Sequence, residues 1–180
     1  MPNLELFYAR FLYHRISNEE IISLADKLLS SGIYCDALNS IWSSSATDQW
    51  KIPDLFKQAI LELNIKVPTH KEAGFALLHE ELQRVANGDL DLQPCIRLLL
   101  DVSDGLEGEF PDNYYLGSGL GLERMFGLLY NLDDLHDEGM YLTFTELQRD
   151  ETKKKVIALL EIAAKEWIEK YEMDLNTDAV

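Results

Sequence analysis

The run Asp133-Asp134-Leu135-His136-Asp137-Glu138 packs four carboxylates and an imidazole into six residues, donor types that can hold a divalent cation. One helical turn would align Asp133 with His136 and Asp137, or Asp134 with Glu138. The calcium-loop template fails here, because it alternates oxygen donors and needs glycine at its sixth position, whereas Leu135 and Glu138 stand at the wrong places. His79-Glu80-Glu81 has no second histidine four residues on, as a zinc-protease helix would. A metal-dependent hydrolase built on 133–138 is therefore a minor expectation, since charge runs are usually solvated faces. No metal ligands are assigned.

Gly117-Ser118-Gly119-Leu120-Gly121 precedes a helical pattern and invites comparison with a phosphate cradle. Its spacing is not Gly-x-Gly-x-x-Gly, no strand signal precedes it, and no P-loop lysine follows. Five acids in the sixteen residues before Gly117 would also repel phosphate. The same segment is one residue too tight on each side for a serine-nucleophile elbow. Cys35 and Cys95 have apolar flanks and neither metal-site nor disulfide-framework spacing, so buried free thiols are expected. His14, His70, His79 and His136 each lack a companion motif. No catalytic or cofactor-binding residue is assigned, and the expectation is a protein that is not an enzyme.

The charge distribution is more informative. The chain of 180 residues has a formal net charge of −16. Residues 87–152 hold fifteen carboxylates against Arg97, Arg124 and Arg149, a local net charge of −12. A concentrated field of one sign costs stability by self-repulsion, but it steers oppositely charged partners and speeds their association. A sequence pI near 4.5 argues against nucleic acid and anionic membrane surfaces as ligands. No apolar run approaches the ~20 residues of a membrane-spanning helix. The N-terminus lacks the features of a secretory signal, and a cytoplasmic location is expected.

Within the acidic stretch, residues 101–115 mix Asp101, Asp104, Glu107, Glu109 and Asp112 with Phe110, Tyr114 and Tyr115. Aromatic anchors beside acids suit recognition of a basic protein. The same composition also fits a solvated loop whose aromatics tuck into the core.

Helical patterns must position these residues. Apolar periodicity or capping signals place helices near 4–14, 18–31, 36–44, 53–63, 70–87, 92–102, 122–132 and 145–171. Ser17 with Glu20, and Thr69 with Glu72, form capping boxes, and Asp91 is a further cap. Residues 103–121 read as a long loop, and Met140 to Phe144 is the best strand signal. Trp42, Trp50 and Trp167 are expected in the core, and Trp50, after Ser43 to Thr47 and beside Asp48, is the one of them best placed to be exposed. The class is all-α: one domain over 1–180, an irregular bundle of about eight helices arranged as hairpins. A HEAT-like stack fits the hairpin spacing, although no residue pattern repeats at a fixed period.

A small, strongly acidic helical chain without a catalytic constellation resembles the bacterial immunity proteins of contact-dependent and polymorphic toxin systems. The stretch from Asn87 to Arg97, continuing through Asp101 to Leu106, is similar to segments of bacterial helical proteins found in such neighbourhoods. The resemblance implies neutralisation of one cognate toxin, frequently a nuclease with a basic cleft. On this reading the partner-binding residues are Asp101, Asp104, Glu107, Glu109, Asp112, Tyr114, Tyr115, Asp133, Asp134, Asp137 and Glu138. The alternative is a helical scaffold or adaptor for a basic cellular partner.

Overall fold

The computed structural model describes residues 3–48, 50–106, 117–135 and 149–177. Among them are eight α-helices, one 3-10 turn at 118–120, and no strand. The strand signal at 140–144 and most of the proposed loop at 103–121 lie outside the described residues. The chain divides into two compact units, 1–74 and 75–180, with the boundary inside one helix.

Unit 1 starts with α1 (Leu4–Leu12), where Asn3 accepts the Leu6 N–H at 3.1 Å. Then α2 (Asn18–Ser30) opens on the expected capping box: Ser17 Oγ accepts from Glu20 N, and Glu20 Oε2 accepts from Ser17 N. Such a reciprocal pair satisfies two backbone donors that the first helical turn otherwise leaves open. Two shorter helices follow, α3 (Asp36–Trp42) and α4 (Lys51–Glu62), and α3 packs against both α2 and α4. Ile21, Leu24, Leu28, Leu38, Ile41, Ile52, Phe56 and Ile60 close the core, all 2% exposed or less. Each such side chain contributes about 1.5–3 kcal/mol by leaving water. Phe56 also meets Phe11 edge-on, with centroids 5.3 Å apart, and Tyr8 at 6.0 Å.

The helix α5 (His70–Ala86) begins on the second capping box, with Thr69 Oγ1 and Glu72 Oε2 exchanging bonds with each other's backbone N–H. Its first turn stays with unit 1, where Tyr13 stacks on His70 at 4.4 Å and its hydroxyl donates to the His70 carbonyl. At its far end Gly88 has φ +80 and Asp89 N donates back to Arg84 O, the left-handed stop that only glycine adopts freely.

Unit 2 continues with α6 (Leu92–Gly105), α7 (Glu123–Asp134) and α8 (Arg149–Thr177). α7 packs against both α6 and α8. Asp91 stands at the N-cap of α6, but its side chain makes no cap bond, contrary to the sequence expectation. Leu78, Leu82, Leu99, Val102, Leu106, Leu122, Leu129 and Leu160 are buried. Trp167 is buried as expected and donates its Nε1–H to the Leu120 carbonyl at 2.8 Å. Gly117 turns the chain at φ +75, where Leu120 N and Leu122 N both donate to its carbonyl.

Candidate functional site

Four of the acids expected to bind a partner lie in described residues, and each sits near the end of a helix. Asp101 and Asp104 fall within the last five residues of α6, and Asp133 and Asp134 close α7. Neither helix has a basic residue in its last turn. A helix C-terminus carries about half a negative charge, so a carboxylate there opposes the dipole by about 0.3–1 kcal/mol when exposed. Asp101, Asp104 and Asp134 are exposed, and Asp133 is half-buried.

These four do not form a single cluster. Gln93, in the first turn of α6, donates from Nε2 to Asp133 Oδ1 at 2.7 Å, which sets the start of α6 beside the end of α7. Asp101 is eight residues further along α6, about 12 Å away at the usual helical rise. The carboxylates therefore form two pairs, one at 101/104 and one at 133/134. Glu107, Glu109, Asp112, Tyr114, Tyr115, Asp137 and Glu138 lie outside the described residues, as does His136 of the possible metal cluster. Among the described residues, no three His, Cys, Asp or Glu side chains converge as a metal site.

The structure also reveals a polar cluster that the sequence reading did not single out. Glu81 is only 7% exposed, on the α5 stripe that carries Leu77, Leu78, Leu82 and Val85. Its Oε2 accepts from Arg84 Nη1 at 3.1 Å, and Arg84 Nε donates to Asp89 Oδ2 at 3.0 Å. The Cys95 thiol hydrogen-bonds to the same carboxylate from α6. Glu81 Oε1 and Ser103 Oγ are buried with no hydrogen-bond partner among the described residues. Burial raises the Glu81 carboxyl above its usual range, against the pull of Arg84. Burial, reinforced by the Glu81 charge, pushes the Cys95 thiol up to about 12. A thiol so poised stays protonated at neutral pH and is a poor nucleophile. The cluster clasps the α5–α6 turn and offers no activated group. Its sequence signal was available: a carboxylate in register with an apolar stripe, three residues before an arginine.

Cys35 and Cys95 are both buried and free. Burial also raises the Cys35 thiol, which hydrogen-bonds Glu62. Glu62 caps α3 from a distance, its Oε2 accepting the Ala37 N–H at 3.1 Å, so α3 needs no local cap. This bond, followed by one from Gln58, holds the Glu62 carboxyl below its usual range. Trp42, expected in the core, is 54% exposed and donates its Nε1–H to Asp26 Oδ1. Trp50, also expected in the core, is 90% exposed, and of the three tryptophans it is the one whose polar neighbours pointed that way. Among the described residues no helix is long and apolar enough to cross a membrane. No protein-family model, curated protein or solved structure matches the chain.

Proposed function

We propose that this protein is a non-enzymatic inhibitor that docks its acidic α6–α7 region onto a positively charged protein, such as a toxin domain with a basic cleft. The observation that carries this reading is the placement of Asp101, Asp104, Asp133 and Asp134 toward the C-terminal ends of α6 and α7, with all but the half-buried Asp133 exposed. Carboxylates near the negative end of a helix dipole present a field that draws cations, and a basic partner supplies them. The two pairs would engage lysines and arginines that otherwise grip substrate phosphates. Charges of this kind set encounter rate and register more than raw affinity.

The test is co-purification from the native host, with mass spectrometry of the captured protein, followed by charge reversal in the pairs Asp101→Lys/Asp104→Lys and Asp133→Lys/Asp134→Lys. Association with that protein should slow by about tenfold or more per pair at low salt and lose most of its salt dependence. An unchanged association rate in both double variants would overturn the proposal.

A further inference from the structure

Unit 1 carries a second surface that the acidic region does not explain. Tyr34, Trp42, Trp50 and Leu61 are large apolar side chains left exposed, and all belong to α3, α4 or the turns beside them. Exposed aromatics gathered on a short stretch of fold mark interaction surfaces more often than chance. Two of these rings also share a chemical feature. Trp42 Nε1–H donates to Asp26 Oδ1 at 3.1 Å, and the Tyr34 hydroxyl donates to Asp36 Oδ1 at 3.2 Å. A ring whose polar hydrogen is held by a carboxylate gains electron density, and its face becomes a better seat for a cation.

The local charge agrees. Residues 17–62 hold seven carboxylates and three lysines, a net of −4 that already includes the neighbouring Lys27 and Lys51. The rest of unit 1 carries two more positive charges than negative ones. The aromatics thus belong to the net-negative segment of unit 1. Residues 44–48, between the two tryptophans, are also tied down. Ser44 Oγ donates to Ser40 O at 2.7 Å, Ser45 N to Asp48 Oδ2 at 3.2 Å, and Asn18 Nδ2 to Ala46 O at 3.2 Å. Pre-ordering of this kind lowers the entropy lost on binding.

We infer that the α2–α4 face of unit 1 is a docking surface in its own right, taking a lysine- or arginine-bearing segment of a partner protein. The faces of Trp42 and Trp50 receive its cations, and Asp26 and Asp48 pair with them. The inference is independent of the role proposed for α6 and α7.

The probe is a blocked tetra-arginine peptide, titrated against the full chain while tryptophan emission is followed, with blocked tetra-glutamine and tetra-glutamate as controls. Tetra-arginine alone should produce a saturable change. Trp42→Phe, Trp50→Phe and Asp26→Asn should each weaken it about 2- to 5-fold, the size of one exposed cation–π contact. In the Trp42→Phe/Trp50→Phe double variant, where calorimetry replaces emission as the readout, binding should be about 4- to 25-fold weaker with the wild-type circular dichroism and melting temperature kept. The response should survive in the fourfold Asp101, Asp104, Asp133 and Asp134 lysine variant, which separates it from failure of the inhibitor proposal. Four results overturn the inference: no saturable change, an equal response to tetra-glutamine, undiminished calorimetric binding in the double tryptophan variant, or sedimentation showing that the rings are covered by a second copy.

Discussion

Removing the Arg84 side chain should destabilise unit 2 more at neutral pH than at acid pH. Arg84 is the one cation that hydrogen-bonds the buried Glu81 carboxylate among the described residues. Breaking a fully buried pair from one side costs about 3–5 kcal/mol, because the remaining charge is stranded. Here the arginine side chain is 42% exposed, so water already screens part of the interaction, and about 2–3 kcal/mol is the reasoned figure for Arg84→Ala at pH 7.5. Loss of the exposed Asp89 contact adds about 0–1 kcal/mol. The sign with pH follows from the raised Glu81 carboxyl. A carboxyl that holds its proton more tightly when folded stabilises the fold at low pH, and that stability is lost as pH climbs through the folded-state value. Without Arg84 the value rises further and the loss spreads over a wider window above 4.5, each unit being worth about 1.4 kcal/mol. As pH falls the raised carboxyl takes up its proton, and the cost should shrink. The assay is urea unfolding at pH 4.5 and 7.5, followed by Trp167 emission in a Trp42→Phe/Trp50→Phe background. Glu81→Gln in the Arg84→Ala background should recover most of the loss at pH 7.5. Equal destabilisation at both pH values, or no recovery, would refute the reasoning.

Three further outcomes are expected. A Cβ at Gly117 would stand 2.7 Å from Phe126 Cε2 and 2.9 Å from Leu122 Cβ at a left-handed φ, so Gly117→Ala should cost roughly 2–4 kcal/mol in urea unfolding. The Glu72 carboxyl is held down to about 2 by Lys66 and by its bonds at Thr69, so its contribution is present above pH 4.5 and lost as pH falls toward 2. Thr69→Ala should cost about 1 kcal/mol at pH 7 and move the Glu72 NMR titration midpoint upward. Cys95, buried and with its thiol pushed up to about 12, should resist thiol reagents at pH 8 until urea unfolds unit 2, which mass spectrometry of the labelled peptide reads directly.

Helix positions were legible because their signals are local. Ser17 with Glu20 and Thr69 with Glu72 are each only three residues apart, and both boxes form as their residue types require. The apolar spacing at Leu24, Ala25 and Leu28 likewise needs nothing beyond its own helix to define a buried face. Trp42 was misplaced because its neighbours Leu38 and Ile41 are core residues, yet it lies on the flank of α3, where its indole N–H reaches Asp26 on α2.

The sequence alone determined the all-α class, the helix starts marked by capping boxes, and a negative excess concentrated between residues 87 and 152. Each of these depends on residue type and on spacings within a few turns. Only the tertiary structure decided which acids share a neighbourhood, that Glu81 is buried with Arg84 and Cys95, and that Glu62 caps α3 across 25 residues. Burial and long-range hydrogen bonds depend on which helix faces meet, and a linear pattern does not encode that pairing directly. The acidic stretch was visible as charge, but the division of Asp101 and Asp104 from Asp133 and Asp134 follows from how α6 lies against α7, which Gln93 and Asp133 record.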